Sequence, residues 1–258
     1  MDPAKPTKTA APVPATPSTQ TTPAMSVTDV TVSYGATLAI EHATFTVPVG
    51  SVMGLLGPNG AGKSTIIKAG LELMDHTGTV RFFGKPLGEV RRKVAYMPQV
   101  VAVDWDYPIT VEQVVTMGMY TELGWLRRAN AAHRGRVMEV LDRVGIAELA
   151  KRQISELSGG QRRRVFVARI LVQAPELYLL DEPFAGVDAA SERVIRGVLH
   201  ELRDQGATIV IVHHDLSTVA ELCDHVTILN REIIATGPTS EAFTRENITK
   251  AFGLGLLE

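Results

Sequence analysis

The segment that most constrains this chain is a glycine-rich loop at residues 57–65, with the sequence GPNGAGKST. It matches the pattern G-x-x-x-x-G-K-[ST] and follows a short apolar run at residues 52–56. In such a loop the backbone amides and the start of the next helix face an anion, while the lysine reaches the outer phosphates and the hydroxyl binds Mg²⁺. We therefore predict a nucleoside triphosphate site. Its predicted residues are Gly57, Pro58, Asn59, Gly60, Ala61, Gly62, Lys63, Ser64 and Thr65.

A pair of adjacent carboxylates, Asp181 and Glu182, follows a second apolar run at residues 177–180. A phosphate site of this kind uses a carboxylate at the end of a buried strand to hold Mg²⁺. We predict that Asp181 holds the ion through water, and that Glu182, which points elsewhere, orients or deprotonates the attacking water. If the pair stood alone, a solvated strand end before a turn would be the better interpretation.

A third motif, Leu157-Ser158-Gly159-Gly160-Gln161, has the pattern of a helix start. Ser158 and Gln161 have the spacing of a capping box, in which each side chain bonds the backbone amide of the other residue. The glycines between them leave bare N–H groups at the first turn, so we predict a second anion site here.

Together these motifs resemble the ATP-binding subunits of ABC transporters, over about residues 26–250. In that family the third motif is the signature motif, and its serine completes the nucleotide site of a second subunit. The resemblance implies an α/β P-loop NTPase fold of RecA type, with an antiparallel N-terminal β subdomain and an inserted helical subdomain at about residues 100–165. It also implies ATP hydrolysis by a homodimer in the ATP-bound state.

Further residues take their roles from the resemblance. Tyr34 matches the aromatic residue that stacks on adenine, and Gln99 matches the Q-loop glutamine that touches Mg²⁺ or the lytic water. Asp188 matches the D-loop aspartate that couples the two sites, although residues 185–187 depart from the commoner sequence. His214 matches the switch histidine at the γ-phosphate. The implied catalytic residues are Lys63, Gln99, Glu182 and His214, and the implied Mg²⁺ ligands are Ser64, Gln99 and Asp181.

The apolar periodicity predicts the order of elements around these motifs. Helical and strand patterns alternate from residue 160 to residue 229, which is typical of a mostly parallel sheet with helices on its faces. Residues 110–155 have helical periodicity and predict the inserted subdomain. Residues 1–25 contain six Pro, six Thr and five Ala, and a segment so poor in large apolar side chains predicts a disordered tail before a domain at 26–258.

Composition narrows the classes of function. The formal net charge is -2, from 26 Lys+Arg and 28 Asp+Glu, and this balance argues against a nucleic-acid partner. No apolar run approaches the roughly 18 residues of a membrane span, and the first residues lack the order of a secretory signal. We therefore expect a cytoplasmic chain that does not span the membrane, and the resemblance implies a peripheral position on the cytoplasmic face of the membrane. The arginines at 162–164 are expected to assist anion binding or to face solvent, and the single cysteine, Cys223, is expected to be buried.

The residues His213, His214 and Asp215 offer an alternative as metal ligands. If strand geometry persists there, successive side chains point to opposite faces, which makes a shared ion awkward. The family resemblance favours the switch histidine instead.

A cargo is suggested by residues 103–111 together with residues 181–188, which resemble the manganese, zinc and iron importer subgroup. This implies integral membrane permease subunits and an extracytoplasmic metal-binding protein as partners. The alternatives are an ABC ATPase with another cargo or direction, and a soluble ABC ATPase that acts in translation or DNA repair. The latter proteins usually carry two ATPase halves or a long coiled-coil insertion, and we find neither in this sequence.

Overall fold

The protein is described by a computed structural model at residues 22–99, 107–124 and 128–253. The strands in these ranges are β1 Met25–Tyr34, β2 Thr37–Val47, β3 Val52–Leu56, β4 Thr77–Phe82, β5 Val94–Met97, β6 Leu177–Asp181, β7 Thr208–Val212, β8 His225–Asn230 and β9 Glu232–Pro238. The α-helices are α1 Lys63–Gly70, α2 Leu87–Val90, α3 Val111–Thr116, α4 Tyr120–Leu123, α5 Ala131–Arg143, α6 Gly159–Leu171, α7 Ala189–Asp204, α8 Val219–Leu222, α9 Thr239–Ala242 and α10 Arg245–Phe252.

Two sheets form the framework. One has three strands in the order β2-β1-β4 and is antiparallel. The other has six strands in the order β5-β6-β7-β3-β8-β9, and all of its pairs are parallel except β8 with β9. The predicted α/β fold with an antiparallel N-terminal sheet is thereby confirmed.

The central strands separate two hydrophobic cores because their side chains alternate between faces. In β3, Val52 and Leu56 pack into one core, whereas Met53 and Leu55 pack into the other. The first core also contains apolar residues of α3, α5, α6 and α7. The second core lies between the two sheets and includes Ile66 and Ile67 of α1. Helix α1 therefore packs in the core that strands of both sheets share, and this packing fixes the loop that precedes the helix.

The functional loops meet at one edge of the larger sheet. Because β5, β6, β7 and β3 run parallel, their carboxyl ends lie on the same side, and ligands bind there in open α/β sheets. The glycine-rich loop follows β3, Gln99 follows β5, Glu182 follows β6, and His214 follows β7. The strand order thus brings together segments that are far apart in the sequence.

The amino-terminal boundary of the fold differs from the prediction of a disordered tail through residue 25. Met25 begins β1 and is 1% exposed, and Ala24 is fully buried. The Ala24 amide donates a hydrogen bond to the Val47 carbonyl. These two residues belong to the small sheet because Met25 adds a large apolar side chain to the second core, and residues 22–24 before it have none. The rest of the predicted tail, residues 1–21, lies outside the described residues.

Other predicted element boundaries also differ from those in the structure. The apolar positions of residues 64–74 predict a helix, but α1 ends at Gly70, and Glu72 then adopts a left-handed backbone with φ 57°. The predicted edge of the helical subdomain at 165 falls inside α6, whose Phe166 and Leu171 belong to the first core. Strand β9 and helices α9 and α10 were missed by the sequence analysis. None of the helices in the described ranges combines the length and apolar character needed to cross a bilayer.

Candidate functional site

The glycine-rich loop is shaped for an anion at the start of α1. Gly62 precedes the helix with a left-handed backbone, φ 98°. No side chain caps the first turn, and the first turn contains no acidic residue. The backbone amides there keep their hydrogen-bonding capacity, and the positive end of the helix dipole points into the loop.

Two glycines of this loop are required by close packing. A Cβ atom at Gly57 would lie 2.1 Å from the Leu229 carbonyl oxygen, and one at Gly62 would lie 2.2 Å from the Ile40 Cδ1 atom. Gly57 has φ 157° and Gly62 has φ 98°, so side chains at these positions would also strain the backbone. Neighbouring strands thus enforce the curl of the loop.

Lys63 is folded back onto the loop. Its Nζ atom donates hydrogen bonds to the carbonyl oxygens of Gly57, at 2.7 Å, and Pro58, at 2.8 Å. The side chain is buried, and this burial lowers its pKa, although the nearby carboxylates of Glu182 and Asp181 oppose the shift. A phosphate group would offer this ammonium a charged partner in place of the two carbonyls.

Asp181 joins the end of β6 to the loop. Its Oδ1 atom accepts a hydrogen bond from the Ser64 hydroxyl at 2.8 Å. The residue is 1% exposed, and burial raises its pKa, while the bond from Ser64 acts in the opposite direction. A hydroxyl and a carboxylate brought together are oxygen ligands of the kind that Mg²⁺ takes, so this donor set fits the predicted ion.

Glu182 adopts an uncommon backbone conformation beside the loop. Its φ is 51°, in the left-handed region, which costs a residue other than glycine about 1–3 kcal/mol and is found at functional sites. Its Oε2 atom accepts a hydrogen bond from the Gln99 Nε2 group at 2.8 Å. The carboxylate therefore reaches the Q-loop glutamine.

A cavity of about 570 Å³ is lined by Lys63, Gln99 and Glu182, whereas Asp181 is not in its lining. Tyr34 lines it with a half-exposed ring, and its hydroxyl lies 3.3 Å from both the Thr65 Oγ1 atom and the Met74 Sδ atom. The predicted residues in the lining are Tyr34, Asn59, Gly60, Ala61, Gly62, Lys63, Ser64, Thr65, Gln99, Glu182 and His214.

Four other residues line this cavity and were missed by the sequence analysis: Thr37, Leu38, Ala39 and Arg231. The first three follow a two-residue turn after Tyr34, and Thr37 pairs with Tyr34 across the hairpin. The glycine in that turn was a usable sequence signal. Arg231 lies between β8 and β9, and its amide bonds the Ala61 carbonyl. Finding it required β9, which the sequence analysis did not predict.

The signature motif lies apart from the lining of this cavity. Gln161 donates its backbone N–H to the Ser158 hydroxyl at 3.3 Å, and Ser158 donates its N–H to the Gln161 Oε1 atom at 3.0 Å. The predicted capping box is thus confirmed. Among the described residues, the lining of the nucleotide cavity includes none of Ser158, Gly159, Gly160, Gln161 or Asp188.

Asp188 packs against the signature helix. It caps α7 by accepting hydrogen bonds from the Ser191 amide, at 2.8 Å, and the Ser191 hydroxyl, at 3.0 Å. A Cβ atom at Gly160 would lie only 2.4 Å from the Asp188 Oδ2 atom. Two helix starts, those of α6 and α7, are therefore held side by side, and a larger residue at Gly160 would displace the Asp188 and Ser191 side chains.

The two histidines after β7 have different surroundings. His214 lines the nucleotide cavity, whereas His213 is 2% exposed and its Nε2 atom lies 2.6 Å from the Thr218 Oγ1 atom. The Phe184 ring packs edge-on against His213, with 5.4 Å between ring centroids. Asp215 accepts hydrogen bonds from Ser217 instead. Within the described ranges, no three or more His, Cys, Asp or Glu residues form a group suited to a metal ion.

Arg163 differs from the expectation of anion binding or solvent exposure because it is buried, whereas Arg162 and Arg164 are only partly buried. Arg162 donates to the carbonyls of residues 154 and 155, and Arg164 to those of residues 144 and 145. Arg163 is buried under the site and donates to backbone carbonyls there. Cys223 is buried as expected, and burial raises its pKa to about 12.

Comparisons with known proteins agree with this geometry. The family model for ABC transporters matches residues 40–185. The manganese transport system ATP-binding protein MntB of Halalkalibacterium halodurans is 47% identical, over 89% of this chain and 92% of that protein. The zinc transport system ATP-binding protein TroB of Treponema pallidum is 48% identical, over 89% and 87%.

Solved structures show the same fold. The structure of cbiO1 from Clostridium perfringens, part of the ABC transporter complex cbiONQ, superposes with a TM-score of 0.73 at 28% identity, covering 88% of this chain and 93% of that chain. The fold, the phosphate loop and the matches along nearly the whole described chain lead to one assignment: this chain belongs to the ABC transporter family, as an ATP-binding subunit.

Proposed function

We propose that this ABC ATPase powers the import of a transition-metal ion, manganese, zinc or iron, through a separate membrane permease. The observation that carries the ATPase chemistry is the convergence of the phosphate loop, Gln99, Glu182 and His214 on one cavity, with Asp181 bonded to Ser64 of its lining. The cargo is supported by the names of relatives that are 47% and 48% identical, which are manganese and zinc transport proteins.

In the proposed reaction, Glu182 is the general base. Its carboxylate borders the cavity and takes the proton of the attacking water, while Lys63, Gln99 and His214 stabilise the charge on the γ-phosphate. The Gln99 amide now occupies one carboxylate oxygen of Glu182. The proposed role as base therefore requires that Gln99 shift, or that the other oxygen act on the water.

The nucleotide is proposed to bind by three kinds of contact. Tyr34 supplies the aromatic surface for adenine, and the amides of residues 57–65 with Lys63 surround the phosphates. Ser64, Gln99 and Asp181 would hold Mg²⁺. The ion, when bound, neutralises charge on the β- and γ-phosphates.

A second copy of the chain is proposed to complete each site. The start of α6 lies outside the lining of the cavity on its own chain, so the signature motif would need a nucleotide that another copy holds. Two copies that meet head to tail would bring Ser158, Gly159, Gly160 and Gln161 of one copy to the γ-phosphate of the other. Asp188, which packs on α6, would lie at the same contact.

The proposed assembly includes integral permease subunits and an extracytoplasmic metal-binding protein, with this chain peripheral on the cytoplasmic face of the membrane. Of residues 103–111, which suggested the cargo, only 107–111 are described, so the remainder of that prediction lies outside the described residues. The second segment, 181–188, contains both carboxylates and the cap of α7.

The test is metal accumulation in cells. A strain without this gene should accumulate less manganese, zinc or iron than the parent when grown in metal-poor medium. The wild-type gene should restore accumulation, whereas Lys63→Ala, which lacks the phosphate-binding ammonium, should not. Equal contents of all three metals in the parent and the deletion strain, measured by elemental analysis, would refute the cargo assignment and leave the ATPase assignment to be judged by hydrolysis assays.

A further inference from the structure

Arg163 is the middle residue of the arginine run in α6. The side chain is 8% exposed, and it shares the buried face of α6 with Gly160 and Phe166. Packing alone would favour an apolar residue there, because removing a guanidinium from water carries a desolvation cost. A buried arginine at this position therefore needs acceptors for its N–H groups, because hydrogen bonds offset the desolvation cost.

The guanidinium of Arg163 donates to four backbone carbonyls on two segments. Its Nε atom reaches the Pro183 oxygen at 3.0 Å, and its Nη1 atom reaches the Gln99 oxygen at 3.2 Å. Its Nη2 atom reaches the Asp181 oxygen at 3.2 Å and also contacts the Glu182 oxygen. Arg163 thus bonds the backbone of both residues that form the Gln99–Glu182 side-chain hydrogen bond.

These bonds act at the strained position of the site. Glu182 has φ 51°, a conformation that persists only when its surroundings hold it. Arg163 fixes the carbonyls of residue 182 and of the residues before and after it. A planar guanidinium has five N–H donors in a fixed fork, whereas a lysine ammonium has three on a flexible stem, so lysine would hold fewer of these carbonyls in register.

We propose that Arg163 is a positioning residue for hydrolysis: it holds the backbone of Gln99 and Glu182 and thereby sets the Glu182 carboxylate for the attacking water. The inference rests on the proposed function, because it takes Glu182 as the base. It also gives α6 two roles, since the helix start is proposed to face the nucleotide of the partner copy while Arg163 orders the base of its own copy.

The test compares Arg163→Gln and Arg163→Lys with wild type in the full chain, by steady-state ATP hydrolysis with Mg²⁺. We expect kcat to fall about 10- to 100-fold in Arg163→Gln, since a small misplacement of a reacting group has an effect of this order. Arg163→Lys should be intermediate. KM for ATP should stay within about threefold of wild type, because the phosphate loop is untouched.

Arg164→Gln is the matched control. Arg164 is the next residue of the same helix and also donates to backbone carbonyls, those of Val144 and Gly145, away from the site. Its substitution should leave kcat within about twofold of wild type. An equal fall of kcat in both glutamine variants would overturn the proposal, because it would then report a general weakening of α6.

A second measurement separates positioning from structural damage. In a Glu182→Gln background, Arg163→Gln should cause no further fall in kcat, since residues that act through one another are not additive. A further fall equal to that seen in wild type would overturn the proposal, as would a raised KM with unchanged kcat. Should Arg163→Gln fail to fold, Arg163→Lys is judged by the same criteria.

The failure of this inference differs from the failure of the proposed function. If wild type does not hydrolyse ATP, or if Glu182→Gln hydrolyses it at the wild-type rate, the assignment of the base is refuted and this inference with it. If wild type is active, Glu182→Gln is impaired and Arg163→Gln is unimpaired, only the role of Arg163 is refuted.

Discussion

The Gln99 side chain donates a hydrogen bond from Nε2 to the Glu182 Oε2 atom, at 2.8 Å, although the two residues follow different strands. Gln99 follows β5 and Glu182 follows β6, and these strands are neighbours in the larger sheet. The proposed base is therefore already in contact with the segment that follows β5. A movement of that segment would change the surroundings of the Glu182 carboxylate directly.

The first prediction concerns Glu182. Glu182→Gln should retain ATP binding and slow hydrolysis by roughly 10²- to 10⁴-fold, because the general base is lost while the phosphate loop is intact. ATP should then hold two copies together, which light scattering of the purified protein can detect. Glu176→Gln, which removes an exposed ion pair with Lys93, is the control and should hydrolyse ATP normally. Normal turnover in Glu182→Gln would assign the base elsewhere.

The second prediction concerns the composite site. Ser158→Arg and Lys63→Ala should each be inactive alone, but mixing them should restore hydrolysis. In the mixed dimer, one site combines the intact phosphate loop of the first variant with the intact signature motif of the second. A mixture of Ser158→Arg with the double variant contains no intact site and should stay inactive. If the mixture of single variants also stays inactive at every ratio, the arrangement between copies is wrong.

The third prediction concerns pH and His213. Burial lowers the pKa of His213 to about 4, below its ordinary value of 6.5. The His213 imidazole therefore binds a proton more readily in the unfolded chain than in the folded one. Its contribution to the free energy of unfolding is complete above pH 6.5 and is lost as the pH falls toward 4. Between pH 7.5 and pH 5 the expected loss from His213 is about 2 kcal/mol in the free energy of unfolding.

Denaturant unfolding of wild type and His213→Asn at these two pH values measures this loss. The variant should be less stable at pH 7.5, because it loses the packing against Phe184, but its stability should depend less steeply on pH. His200→Asn, a histidine on α7, serves as the control. Identical pH dependence in wild type and His213→Asn would show that His213 does not titrate as its burial implies.

The fourth prediction concerns Arg231, which lines the nucleotide cavity from the turn between β8 and β9. Arg231→Ala should weaken ATP binding by about two- to fivefold, the effect of one solvent-exposed charge near an anion, and less at high salt. Binding is measured in the Glu182→Gln background so that hydrolysis does not interfere. Arg81→Ala on β4 is the control, and an unchanged Kd in Arg231→Ala would remove Arg231 from the site.

The fifth prediction concerns the start of the domain. Removing residues 1–21 should leave the melting temperature unchanged, because that segment is predicted to lack core-forming side chains. Removing residues 1–25 should destabilise the protein by about 1.5–3 kcal/mol, the effect of exposing the cavity left by a buried Met side chain. Thermal unfolding of both truncated chains measures the difference. Equal melting temperatures would place the boundary after Met25, as composition alone predicts.

Short motifs in the sequence were enough to predict the phosphate loop, the capping box of Ser158 and Gln161, and the alternation of strands and helices. These features depend on residues close together in the chain: glycines at fixed offsets, a cap three residues before its partner, and apolar residues with a period of two or 3.6. For that reason the periodicity predicts strands at residues 94–97 and 208–212 and a helix at residues 189–204, which are the bounds of β5, β7 and α7.

The remaining features depend on contacts between segments that are distant in the chain. Whether Arg163 faces solvent or the backbone of Glu182 is set by how α6 packs under β5 and β6. Whether Arg231 reaches the nucleotide cavity is set by the pairing of β8 with β9. No local pattern encodes such distances, because they arise from the packing of two cores against a mostly parallel sheet.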